Sequence, residues 1–304
     1  MKIIEKILNE KINIDNNTFI FDIETTGLNP KFCKVILIGI LYNCQNKTVI
    51  KQFFAENEDD EKGILTAFVN DIKYFKKHVT YNGMGFDIRF INYRFKKHNI
   101  DFTLNKEEDF DIFRFVKQFK NPLNLQDCSL NTVETFFDIN RDDIIDGGES
   151  VRLYKDFVKN KDQKIMNTIL LHNYEDIYNL SKLINIKDLV KEKLDLVELN
   201  VNNCTLKFFP LSYKINKKRL IMNYFIFNEN HNNISIYNDN YSIICQDKNI
   251  SLEININEGI DKDKNTILFY NLSKIIPLKF NDNILDSNIY SLCNFIIKNE
   301  LCNI

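Results

Sequence analysis

Two acids sit one residue apart in the stretch FDIETTGLNP, at Asp22 and Glu24. The β-rich residues around them predict a strand, and alternate strand side chains share a face, separated by two rises of roughly 3.3 Å. Two carboxylates so placed repel each other, and a hard divalent cation with oxygen ligands relieves that repulsion. A third acid, Asp87, follows in YNGMGFDIRF, where Gly83 and Gly85 permit a tight turn and Asp87 opens a helix. A fourth, Asp176, lies in LLHNYEDIYNL. His172 precedes it by four residues and so shares its helix face. Taken singly, each feature has a plain structural use: acids two apart on a surface strand, a helix-dipole partner, an i,i+4 ion pair. Together they suggest oxygen-rich metal chemistry with an imidazole beside it.

The elements needed to position these groups are also legible. A first helix is expected from the apolar spacing of MKIIEKILNEKIN. Strands are predicted at 19–25, 34–42 and 48–55, a helix over 59–75, and a return strand at 78–81. Helical segments follow at 86–99, 112–119, 129–138, 150–158 and 165–184, with an Asp146-Gly147-Gly148 turn between two of them. Past residue 200 only one of the eight glycines remains, Gly259, and alternating stretches such as SLEININ predict short strands, a hairpin turn at 237–241 and a closing helix over 287–301. The expected organisation is an α/β domain over residues 1–198 and a smaller β-rich domain over residues 199–304.

In that order, VTYNGMGFDIRFI, LNTVETFFDI, DDIIDGGESVRLYKDF and LLHNYEDIYNLSKL, preceded by DIETTGL, resemble the DEDD superfamily of 3′-5′ exonucleases. More closely, they resemble the YprB-type ribonuclease H-like domain of bacteria, over about residues 15–190. The resemblance implies a ribonuclease H-like mixed sheet flanked by helices. It implies two Mg²⁺ or Mn²⁺ ions held by Asp22, Glu24, Asp87 and Asp176, and single-stranded DNA or RNA with a free 3′ end as the partner. It also places the terminal nucleotide at the Thr25-Thr26-Gly27-Leu28 turn, with Asn82 and Phe86 nearby. The tyrosine-type branch carries Tyr four residues before its last Asp and the histidine-type branch carries His five before it. Here His172 stands at the tyrosine spacing, as a base of mixed type. Asp111 is a reserve ligand in the same pattern. Rival readings are a catalytically silent nucleic-acid-binding or scaffolding module and a structure-specific endonuclease using the same metals.

Composition bounds the rest. A 44% hydrophobic content supports a sizeable core, and 40 basic against 42 acidic residues leave a formal charge of −2, so any basic groove must be local. The runs Arg94-Phe95-Lys96-Lys97-His98 and Lys214 to Arg219 are candidate phosphate-tracking surfaces, and Arg152 a candidate phosphate ligand. Alanine occurs only at Ala55 and Ala67 while Asn, Ile and Lys abound, a skew read as AT-rich coding rather than function. Seven cysteines without a Cys-x-x-Cys pair suggest neither a zinc site nor a disulfide framework. The longest strongly apolar run, 35–42, is far short of the roughly 20 residues of a membrane helix. With an N-terminus interrupted by charge, a soluble cytoplasmic protein is expected.

Overall fold

The computed structural model describes all residues except 143–144, 202–203, 229–232 and 303–304. Residues 143–144 belong to one of the motifs quoted above and lie outside the described residues. The chain forms two compact units, Met1–Ile186 and Lys187–Ile304.

In the first unit, strands β1 (Lys2–Ile7), β2 (Thr18–Thr25), β3 (Val35–Cys44), β4 (Lys47–Phe54), β5 (Lys77–Thr80) and β6 (Asp109–Asp111) make one sheet of order β1-β4-β3-β2-β5-β6. The first four pair antiparallel, while β5 runs parallel to β2 and β6 parallel to β5. Helix α1 (Glu61–Ile72) crosses from β4 to β5, and α2 (Asp87–Lys97) leads from β5 toward β6. After β6 come α3 (Ile112–Gln118), α4 (Leu130–Phe136), α5 (Gly147–Asn160) and α6 (Gln163–Lys182). Two cores result. Phe19, Phe21, Ile23, Ile38 and Phe53 pack with α1 and α2, whereas Ile36, Leu37 and Phe54 pack with Tyr154, Phe157, Met166 and Ile169 of α5 and α6. Coverage on both faces explains why Val35–Leu41 reads as an unbroken apolar run rather than an alternating one.

One expectation fails. The N-terminal residues form strand β1, not a helix, and pair with β4 from Lys2↔Phe54 to Ile7↔Val49. Ile3, Ile4 and Ile7 fit helical spacing, but β-branched residues suit a pleated edge, and the open side of β4 supplies the ladder. This edge is mostly exposed, with charged Lys2, Glu5 and Lys6 that blunt further pairing. A smaller difference concerns Gly147 and Gly148, which form the first turn of α5 rather than a separate turn. Asp146 is its N-cap, accepting from the Glu149 N–H at 2.8 Å.

In the second unit, strands β7 (Val197–Val201), β8 (Cys204–Asn216), β9 (Arg219–Ile226), β10 (Ile234–Tyr237), β11 (Tyr241–Gln246) and β12 (Asn249–Asn255) form an antiparallel sheet of order β10-β11-β12-β9-β8-β7. A four-stranded sheet spans Asn257–Ile260, Thr266–Asn271, Ile275–Phe280 and Asn283–Ile284. The closing helix, Asp286–Cys302, places Ile289, Leu292, Ile296 and Ile297 in one core with Leu252, Tyr224 and Phe208 of the larger sheet.

Candidate active site

Phe21 and Ile23 belong to the core beneath α1 and α2, so pleating turns Asp22 and Glu24 to the other face, toward α5 and α6. Asp87 begins α2, and its Oδ1 accepts from the Ile23 N–H at 3.3 Å, between the two acids of β2. The turn before it is tight. Asn82 adopts a left-handed φ of 63°, and a β-carbon at Gly83 would lie 2.3 Å from Thr80 Oγ1. The Asp111 carboxylate is taken up by backbone N–H groups. It accepts from the N–H groups of Asn82 (2.9 Å) and Met84 (3.3 Å) and caps α3 through Arg114, so it braces the turn that presents Asp87.

Helix α6 brings the last two groups, and it can do so because of Gly39. Gly39 pairs across the ladder with Asp22, and a β-carbon there would fall 2.0 Å from Ile177 Cδ1 and 2.2 Å from Asn173 Oδ1. With only hydrogen at that position, the helix approaches the sheet and His172 enters the site. His172 Nε2 stands 3.5 Å from Glu24 Oε1 and 3.6 Å from Asp176 Oδ2. Ligand atoms of Glu24, His172 and Asp176 all lie within 4.8 Å of one another. Beside them, Asn173 Nδ2 donates to Asp22 Oδ2 at 2.9 Å while its Oδ1 accepts from Gln52 Nε2 at 2.9 Å. Gln52 and Asn173 are buried, so this chain fixes the Asp22 rotamer from β4 through α6.

The electrostatics follow from the crowding. Burial, then the charges of Asp176, Asp87 and Glu24, push the Asp22 carboxyl well above its usual range, against the Asn173 hydrogen bond. Glu24 is pushed up to about 7 by burial, opposed by His172 and reinforced by Asp176. Asp87 reaches about 7, again mainly through burial. One positive charge answers part of this. Arg141 Nη2 lies 2.5 Å from Asp176 Oδ1 and 2.9 Å from Oε1 of the fully buried Glu134, whose Oε2 accepts from Arg141 Nε at 3.0 Å.

These groups open into a cavity of about 1470 Å³, also lined by Thr25, Gly27, Leu28, Asn82 and Phe86. Leu28 is 80% exposed at the rim. Thr25 Oγ1 is engaged, donating to the Gly27 carbonyl at 2.8 Å. Thr26 does not line the cavity, for its hydroxyl accepts from the Lys34 N–H at 2.9 Å and closes the neck of the loop. Arg152 is drawn aside by Glu149 at 2.7 Å. Sequence reasoning missed Arg141, Asn173, Gln52 and Gly39. Only Gly39 had a local signal, as an isolated glycine inside an apolar strand, which marks close approach of another element.

Hard oxygen donors, one imidazole and no thiolate are a donor set that suits a hard divalent cation. A mixed sheet with antiparallel β2–β4, parallel β5 and β6, helices on both faces and acids meeting at the strand ends defines the ribonuclease H class. The chain belongs to the ribonuclease H superfamily, which residues 19–187 match.

Among characterised sequences it is similar to the PolC-type DNA polymerase III of Ureaplasma parvum, 35% identical over 136 residues covering 36% of this chain and 9% of that protein. It is 28% identical over 174 residues to the uncharacterized protein YprB of Bacillus subtilis, covering 55% of this chain and 41% of that one. The chain thus spans less than half the length of these relatives. Among solved structures, a family B DNA polymerase from Pyrobaculum calidifontis superposes with a TM-score of 0.46 at 18% identity, over 57% of this chain and 25% of that one. Exonuclease I of E. coli with a dT13 oligonucleotide gives 0.33 at 14% identity, over 67% and 54%. No helix among the described residues is long and apolar enough to cross a membrane.

Proposed function

We propose that the protein is a metal-dependent 3′-5′ exonuclease that hydrolyses single-stranded nucleic acid to nucleoside monophosphates. The observation that carries this reading is the convergence of Asp22, Glu24, Asp87, His172 and Asp176 on one open cavity large enough for a terminal nucleotide. A groove that only bound nucleic acid would have no use for four acids that repel phosphate. Asp22, Glu24, Asp87 and Asp176 would hold two divalent cations, Mg²⁺ or Mn²⁺, which when bound supply the Lewis acidity that phosphodiester hydrolysis needs.

The chain's own groups supply the rest. His172 Nε2, flanked by two carboxylate oxygens, accepts the proton of the attacking water; its neutral form has the lone pair this requires. Asn173 holds Asp22 in one orientation. Arg141 sets the position of Asp176 and presents a guanidinium edge to the cavity. Leu28 offers an exposed apolar surface to the terminal base, with Phe86 and Asn82 of the same cavity as further contacts.

The test is incubation with 3′- and 5′-labelled DNA and RNA oligonucleotides in Mg²⁺, Mn²⁺ and chelator. A metal-dependent ladder shortening from the 3′ end is expected, absent in Asp176→Asn. A single internal cut would make the protein an endonuclease of the same fold, and unchanged substrate in every condition would make it a binding module.

A further inference from the structure

A second groove, of about 640 Å³, adjoins the first and shares Leu28 with it. Its floor is the exposed face of α2, where Arg89, Tyr93 and Lys96 recur at i, i+4 and i+7 and therefore line up. Lys106 closes the far wall. That wall is fixed, because Asn92 donates to the Leu104 carbonyl at 2.8 Å and accepts from the Leu104 N–H at 2.9 Å.

No acid lines this groove, and Arg89, Lys96 and Lys106 make no side-chain hydrogen bond or ion pair among the described residues. Other cations near the described surface are engaged by acids, as Lys34 is by Glu58, Lys51 by Asp71 and Arg219 by Glu253. Another groove, which shares Asn82 with the first cavity, has Arg114 within 3.7 Å of Asp111 and Lys117 over the Phe113 ring. The basic run seen in the sequence is meanwhile split by burial. Arg94 and His98 turn inward to Glu61, and Lys97 donates to the Lys31 carbonyl, which leaves Lys96 to the groove.

We propose that this groove is a second binding site, which holds the single strand on the 5′ side of the nucleotide being removed. Phosphates lie against Arg89, Lys96 and Lys106, and a base stacks on the exposed Tyr93 ring. Leu28 is common to both cavities, so a strand can pass from one to the other. The proposal rests on the exonuclease reading for the identity of the strand, but not for its existence. Unpaired cations beside an exposed aromatic are the recognition chemistry of single-stranded nucleic acid, in which stacking and phosphate contacts need no sequence.

Fluorescence anisotropy with 5′-labelled dT12 in Ca²⁺ over a salt series, with unlabelled thymidine 5′-monophosphate as a competitor, tests it on the full chain. The combined variant Arg89→Gln, Lys96→Gln, Lys106→Gln should weaken dT12 at least about tenfold and flatten the log–log salt slope by about 2, since each single-strand phosphate contact contributes roughly 0.7. Tyr93→Ala should weaken dT12 by about fivefold or more, as loss of a stacked base does. The affinity of thymidine 5′-monophosphate should be unchanged in both. All four residues are exposed, so the variants should melt with the wild type. Hydrolysis of the 4-nitrophenyl ester of thymidine 5′-monophosphate, which fills only the first cavity, should proceed at wild-type rate in the variants.

An unchanged dT12 affinity and salt slope in the triple variant would overturn the groove, as would a wild type that binds no oligonucleotide. A wild type that hydrolyses neither substrate while the variants lose dT12 would sink the exonuclease reading and leave the groove standing.

Discussion

His172 lies between Glu24 and Asp176, buried, with one ring nitrogen facing both carboxylates. An imidazole that accepts the water's proton gives a rate that falls as the pH drops into the range where the ring is protonated. Removing such a group costs on the order of 10²–10⁴-fold in turnover. We expect that loss in His172→Ala with Mn²⁺ binding retained, and partial recovery in His172→Tyr, which puts a hydroxyl at the same helix position. Single-turnover cleavage at saturating Mn²⁺ decides it, and a near-wild-type rate in the alanine variant would remove His172 from the chemistry. Glu24 gives a second, independent measurement. Its folded pKa lies above its unfolded one, so the folded state keeps a proton that the unfolded state has released. The resulting stability is fully present below the unfolded value of 4.5 and is lost as the pH rises through about 7. At about 1.36 kcal/mol per pKa unit, ionising Glu24 in the metal-free fold costs up to about 3 kcal/mol. In chelator, Glu24→Gln should therefore melt higher than wild type at pH 8, with a smaller difference at pH 5. Saturating Mn²⁺ should reverse the order at pH 8, because the cation stabilises the wild type more. A lower melting temperature for Glu24→Gln in chelator at pH 8 would show that the acids are not in conflict.

Delivery of the last two groups depends on how closely α6 lies on the sheet, and Gly39 sets that distance. In Gly39→Ala the methyl group meets Ile177 and the Asn173 amide, so the helix shifts or the Gln52–Asn173–Asp22 chain breaks. Overpacking of this kind costs about 1–3 kcal/mol. A displacement near 1 Å at reacting groups costs on the order of 10²-fold in rate. Gly147→Ala is the control for stability, since an added β-carbon there meets nothing within 4 Å. Equal melting temperatures and equal turnover in Gly39→Ala and wild type would dismiss the close-approach argument. The same contrast shows what the sequence could reveal. Strand alternation put Asp22 and Glu24 on one face, and the i,i+4 spacing put His172 with Asp176, because both rules are local. The hydrophobic pattern likewise marked β2 to β4, α1, α2 and α6. Asn173, Gln52 and Arg141 act across 151, 121 and 35 residues, and no local rule carries such pairings. The N-terminal segment was misread for a related reason: its own spacing suits a helix, and only the free edge of β4 decides for a strand.

At the scale of the whole chain, every residue of both grooves lies in the first unit, before residue 177. Each unit also has its own hydrophobic core: the β2–β4 sheet with α1, α2, α5 and α6 in the first, and the antiparallel sheets with the closing helix in the second. A core of its own is the physical condition for folding alone. We therefore expect residues 1–198 to fold without the remainder, with a single cooperative melting transition. This fragment keeps helix 186–192, whose buried Ile186 and Val190 would otherwise be cut through. The fragment should cleave the thymidine 4-nitrophenyl ester as the full chain does. Cleavage of oligonucleotides separates two roles for the β-rich unit. If dT12 and a 40-mer are degraded at the full-chain rate, that unit does not hold substrate; if the 40-mer alone is slowed, it helps to hold longer strands. An aggregated or non-cooperative fragment would show instead that the second unit completes the core of the first, and the division near residue 198 would have to be abandoned.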